Sequence, residues 1–148
     1  FNYTDVLELL YKIPEERILH IHGRSTKHER LIFGHNNHFI ESFMNYDKEK
    51  VCFELSKYHK NPYEYIFKYH ELIDIFRGIE YVHIYGFSFS LIDEDYIDWV
   101  FKNVTSSSQW EVSWFSDEDT NMINKFVLEH WDLRNRLKTI RLEEIAQP

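Results

Sequence analysis

Three short segments place histidine, asparagine, serine or aspartate beside a glycine: Ile21-His22-Gly23-Arg24, Leu31-Ile32-Phe33-Gly34-His35-Asn36-Asn37, and Ile84-Tyr85-Gly86-Phe87-Ser88-Phe89-Ser90-Leu91-Ile92-Asp93. In the first, an imidazole next to a residue without a side chain can approach a ligand closely and act as a general base near neutral pH. In the second, His35 and Asn36 can present ring and amide donors to ribose or phosphate oxygens. In the third, a glycine turn and two hydroxyls lead into a helix start, where backbone N–H groups and the helix dipole favour an anion. Asp93, Glu94 and Asp95 crowd that start. They suit the dipole and oppose phosphate, so Asp93 reads first as an N-cap that can also hold Ser88 or a ribose hydroxyl. The segment lacks the glycine after serine that a nucleophile elbow needs, which excludes a serine-hydrolase reading. His20, His22, His28, His35 and His38 lie close in sequence. No carboxylate accompanies them at ligand spacing, so no metal is assigned. Cys52 falls on an apolar helical stripe and reads as core.

The elements that must position these groups follow from periodicity. Ile18–His22, Leu31–Phe33 and Tyr81–Tyr85 are apolar runs stopped by glycine, the pattern of parallel strands whose C-terminal loops need close backbone approach. Trp110–Trp114 alternates strictly and predicts a half-exposed strand at a sheet edge, and Leu137–Leu142 predicts a last strand. Asn61-Pro62 predicts a helix start, with Tyr65, Tyr69, Leu72 and Phe76 forming a buried stripe that ends at Gly78 in a left-handed cap. Asp93 opens a helix that buries Ile97, Val100, Phe101 and Val104. Ser116 and Asp119 form a capping box ahead of Ile123, Phe126, Val127 and His130. A further helix is predicted over much of Ser42 to Tyr58. From Asn61 onward helix and strand alternate, which predicts an α/β, Rossmann-like fold: a mostly parallel sheet flanked by helices on both faces, in a single domain over residues 1–148. Ligands of such sheets bind at the carboxyl ends of the strands.

Composition narrows the function classes. The chain has 148 residues, 43% hydrophobic and 18% aromatic, enough for one core-bearing domain. Its net charge of −8 argues against a broad nucleic-acid footprint. No apolar run approaches a membrane span, no secretory signal is read at the start, and the one cysteine fits a reducing cytoplasm.

Taken in order, Ile18–Gly23, Leu31–Asn37, Val82–Ile97 and the strand-to-helix segment Trp110–Asp119 resemble the AbiH family of bacterial abortive-infection proteins. The most specific stretch is Gly86-Phe87-Ser88-Phe89-Ser90 followed by Asp93 and Asp95-Tyr96. The family opens with a strand and a Gly-Asn-Gly-Phe-Asp turn, and nothing of that kind stands here. The chain is therefore expected to be the C-terminal portion of a larger domain, inactive by itself, with an oligomer or a preceding segment completing it. More distantly, His22-Gly23, Phe33-Gly34 and Gly86-Phe87-Ser88 follow the order of the sirtuin-like NAD-binding fold. These resemblances imply an antiphage effector that takes NAD or another nucleotide as ligand or substrate, with no covalently held cofactor. They imply His22 as the catalytic base and Gly23, Gly34, His35, Asn36, Gly86, Ser88 and Asp93 as the nucleotide pocket. Two rivals are a metal-dependent nuclease or phosphohydrolase, and a non-catalytic sensor or assembly module.

Overall fold

The computed structural model describes residues 4–27, 31–32, 61–87, 89 and 93–145. The predicted helix over Ser42 to Tyr58, together with Cys52, Gly34, His35, Asn36, Ser88, His28 and His38, lies outside these residues. The chain divides into two compact units, residues Phe1–Asn61 and Pro62–Pro148. Each is described by itself.

The second unit contains the sheet. Helix α2 (Pro62–Lys68) starts at Pro62, as the Asn61-Pro62 pair predicts, and a 3-10 turn separates it from α3 (Ile73–Phe76). The expected stripe is only half-buried: Tyr65, Tyr69, Leu72 and Phe76 all keep some exposure, and Phe76 spends its ring against Trp99 at 4.9 Å. Gly78 departs from the sequence reading. It does not adopt a left-handed φ, and its N–H closes the helix by donating to Ile75 O at 3.1 Å. Strand β1 (Tyr81–Ile84), helix α4 (Glu94–Asn103), strand β2 (Gln109–Trp114), helix α5 (Asp117–Glu129) and strand β3 (Leu137–Arg141) then alternate. A last turn of helix, α6, spans Leu142–Ile145.

The three strands form a parallel sheet in the order β1-β2-β3, with Val82 opposite Trp110 and Trp110 opposite Leu137. Trp110–Trp114 is thus the central strand of this sheet, not an edge. Its alternation has another cause: the two faces of the sheet differ. Both crossovers step in the same direction, and with the right-handed connection such units adopt, both helices fall on one face. The packing agrees, since Ile84, Trp110 and Val112 cluster with Ile97, Ile123, Phe126 and Leu133, and Val82, Val100, Phe101 and Leu137 pack against them. On the opposite face Glu111 and Ser113 are occupied by hydrogen bonds from Tyr85 and from the Gly86 N–H.

Aromatic rings knit this core. Phe89 meets Phe126 edge-on at 5.3 Å, and His130 lies 4.3 Å from the rings of both Phe101 and Phe126. Trp110, 2% exposed, satisfies its indole N–H on the buried Ser108 hydroxyl at 2.9 Å. A buried Trp needs such a partner, because an orphaned donor would offset much of the gain from its area.

In the first unit the described residues hold one short helix, α1 (Val6–Leu9), and two 3-10 turns, Glu15–Arg17 and Ser25–Lys27. Ile18–His22 does not form the predicted strand. Residues 18–20 run irregularly into a turn closed by the Gly23 N–H on His20 O at 3.1 Å, and Gly23 adopts φ 82. Leu31 and Ile32 are also irregular. Ile32 N–H donates to His22 O at 3.0 Å, so the first two sequence segments meet at a backbone bond without a ladder among the described residues. The turn falls inside the run itself, at Ile21-His22, where a strand would have to stay extended.

Candidate functional site

The described site residues fall in different units: His22 and Gly23 in the first, Gly86 and Asp93 in the second. Sequence reasoning placed His22 at an open strand end. It is instead 4% exposed, inside the turn that Gly23 completes.

Next to it stands a feature the sequence reading missed. Arg24, also buried, extends its guanidinium into three carboxylates: Nε lies 3.0 Å from Asp5 Oδ1, and Nη1 lies 3.0 Å from Glu15 Oε1 and 3.6 Å from Glu8 Oε1. His20 Nε2 pairs with Glu8 Oε1 at 2.9 Å, Thr26 donates to Asp5, and Lys27 bonds Glu15. Each carboxyl titrates below its usual range. For Asp5 the main cause is the Thr26 hydroxyl, for Glu8 the His20 ring and for Glu15 the Lys27 ammonium, with Arg24 adding to all three against the opposing effect of burial. Burial disfavours the Arg24 charge, yet the attraction of Asp5, Glu15 and Glu8 outweighs it and raises its pKa.

This network corrects the expectation that no carboxylate accompanies the histidines. Asp5, Glu8 and His20 present ligand atoms within 4.8 Å of one another, a spacing that can hold a metal ion. Arg24 already supplies a fixed positive charge to the two carboxylates of that group, so a cation entering there must compete with a guanidinium that cannot leave as a neutral group. The arrangement suits holding a turn in place. One signal was legible in retrospect: Asp5 and Glu8 lie three residues apart, the spacing that puts both on one helical face.

In the second unit, Gly86 and Asp93 bracket the connection from β1 to α4 at the carboxyl end of the sheet. Gly86 takes φ 65, and a Cβ built there would meet nothing within 4 Å, so the turn is open to an approaching group. Its N–H donates to Ser113 Oγ at 3.0 Å, fixing the turn to β2. Phe89 takes φ 51 while 3% exposed. A bulky residue in the left-handed region is rare and costs of order 1–3 kcal/mol. The burial of its ring between Phe87 and Phe126 holds it there.

The two helix starts beside this turn differ. Helix α5 carries the predicted capping box: Asp119 N–H donates to Ser116 Oγ at 3.3 Å, while Ser116 and Phe115 N–H groups donate to Asp119 Oδ2 at 3.0 and 3.1 Å. Burial pushes the Asp119 carboxyl up, but those backbone donors outweigh it and leave its pKa lowered. With Asp117, Glu118 and Asp119 in its first turn, this start is closed to anions. Helix α4 has Asp93 at the N-cap position, as expected, but no side-chain cap hydrogen bond. Glu94 behind it is pushed upward in pKa, by desolvation first and by Glu129 next to it, with Lys125 opposing.

No helix among the described residues is long and apolar enough to cross a membrane. No curated protein matches the chain, and neither does any solved structure. The family model described as Bacteriophage abortive infection AbiH matches residues 1–114. That match covers most of the 148 residues and includes the His22 turn, the Gly86 turn and strand β2, and on it the chain belongs to the AbiH family of bacteriophage abortive infection proteins.

Proposed function

We propose that this chain acts in antiphage defence by binding a nucleotide, NAD in the first instance, and hydrolysing its glycosidic bond. The observation that carries the reading is the β1–α4 turn. It lies at the carboxyl end of a parallel sheet, pairs an open glycine at φ 65 with a buried phenylalanine at φ 51, and leads into the start of helix α4. Strained, fixed backbone at that end of a parallel sheet is where α/β folds hold ligands. Within this reading the sheet is the Rossmann-like core of a single α/β domain. Gly86 and Ser88 approach the phosphates and Asp93 accepts from a ribose hydroxyl.

His22 serves as the base. In the hydrolysis the bond between ribose C1′ and the nicotinamide nitrogen breaks, and its electron pair leaves with nicotinamide. Water adds to C1′ and gives its proton to the imidazole. The chemistry part of this reading draws on the resemblance to the sirtuin-like order of His-Gly, Phe-Gly and Gly-x-Ser. The test is nicotinamide release from NAD by the full-length protein, during phage infection and as purified protein. Release that disappears in His22→Ala is expected; no release in either setting overturns the hydrolase reading.

A further inference from the structure

On the sheet face opposite the core, β1 and β2 bring three donor atoms together. His83 stands directly across from Glu111, and Glu111 across from Lys138, so one row of the sheet reads His-Glu-Lys. Tyr85, two residues beyond His83, bends over the same row. Its hydroxyl donates to Glu111 Oε1 and lies 3.2 Å from His83 Nδ1, while His83 Nδ1 is 3.4 Å from the same carboxylate oxygen. Lys138 takes the other carboxylate oxygen at 3.4 Å.

A nitrogen and two oxygens converging on one point is the geometry of a facial ligand set. Ligand atoms about 2.0–2.1 Å from a tetrahedral zinc ion lie about 3.3–3.4 Å apart, and zinc accepts imidazole and carboxylate readily. The His83–Glu111 and His83–Tyr85 edges already have nearly this length. The Tyr85–Glu111 edge is a hydrogen bond from the phenol to the carboxylate, and a metal ion would take that proton's place.

The site is open. His83 and Tyr85 are half exposed, and a groove of about 410 Å³ runs beside the row, lined by Tyr81, His83, Gln109, Glu111 and Lys138. The contrast with Asp5, Glu8 and His20 is informative. There a buried guanidinium holds the two carboxylates, whereas here the exposed Lys138 pairs with Glu111 Oε2, not with the Oε1 that the other two donors approach. It orients the carboxylate without filling the centre.

We propose that His83 Nδ1, Tyr85 Oη and Glu111 Oε1 form a binding site for a divalent zinc-class ion, with the fourth coordination position facing the groove. On binding, the Tyr85 hydroxyl gives its proton to solvent and the phenolate oxygen ligates the metal. Glu111 exchanges its hydrogen bond for a metal bond, and no electron is transferred. The site is independent of the nucleotide reading.

Calorimetric titration of the full chain with zinc chloride at neutral pH tests this, run in two buffers of different protonation enthalpy so that released protons are counted. Binding of a single ion per chain with net proton release is expected. His83→Ala and Glu111→Gln should each weaken it at least about tenfold. Tyr85→Phe should weaken it and remove the proton release. All three side chains lie on the sheet face away from the core, and circular dichroism would verify that the variants stay folded. Paired Glu8→Gln and His20→Ala changes should leave the titration unaltered. No saturable binding up to millimolar zinc overturns the proposal. So does binding that survives His83→Ala and Glu111→Gln, or that Glu8→Gln with His20→Ala abolishes.

Discussion

The two units of this chain are stabilised by different physics. In the second, eight buried hydrophobic residues from two strands, two helices and their connections form one cluster, and the polar groups inside it are paired locally. In the first, the buried side chains among the described residues are His22 and Arg24, while Leu9, Leu10 and Tyr11 are exposed. Among those described residues three acids share one guanidinium. Hydrophobic burial is additive and tolerant, losing a little with each methylene removed. A buried ion network is brittle, because deleting one partner strands the charges of the others. The comparison therefore predicts graded responses in one unit and an all-or-none response in the other.

The largest effect should come from Trp110→Ala. Removing a side chain that is 2% exposed at the centre of the sheet should cost about 3–5 kcal/mol in a urea titration. Hydrogen exchange should show residues 81–141 losing protection together. Next is Arg24→Leu, which leaves Asp5, Glu8 and Glu15 facing one another. Exchange protection over residues 4–27 should collapse while strands β1 to β3 keep theirs. Equal loss in both units would erase the distinction drawn here.

Acid should separate the units without mutation. Asp5, Glu8 and Glu15 have lowered folded pKa values, so their contribution is complete above the ordinary carboxylate range and is lost as pH falls through the depressed values. The first unit should loosen in that acid window, followed by exchange at stepped pH.

Ser116→Ala removes one half of the α5 capping box and should cost about 1 kcal/mol, read from the urea midpoint. The smallest effect is of opposite sign. Glu94 has a raised folded pKa, so its charge opposes folding above that value and the penalty fades as pH falls. Glu94→Gln should raise the melting temperature slightly at neutral pH, with the gain vanishing toward the ordinary glutamate range.

What could be read from the residues follows the same division. Ile97, Val100 and Phe101, and likewise Ile123 and Phe126, recur at helical spacing because they face one core, and the capping box at Ser116 is local chemistry. Both were legible. The central place of Trp110–Trp114 was not, because alternation reports unlike faces and says nothing about neighbours on either side. The strand expected at Ile18–His22 gives way to a turn at Ile21-His22, inside the apolar run, and a run of strand-forming residues does not announce a turn within it. Arg24 was invisible for a different reason: its partners lie 9, 16 and 19 positions away at Glu15, Glu8 and Asp5, and ion pairing leaves no period in the sequence. Of the site, the glycine turn at Gly86 was legible from its residue types. The strain at Phe89 was not, since nothing about a phenylalanine announces a positive φ.

The central position of β2 also sets an order of events in time. Every pairing of the sheet passes through it: Tyr81 waits for Gln109, and Trp110 waits for Leu137, each across a closure of nearly thirty residues. Contacts that distant form late and slowly. The Arg24 network closes within the first 27 residues, so during synthesis the brittle unit is the earlier to assemble. The tolerant one completes only after β3 has been made.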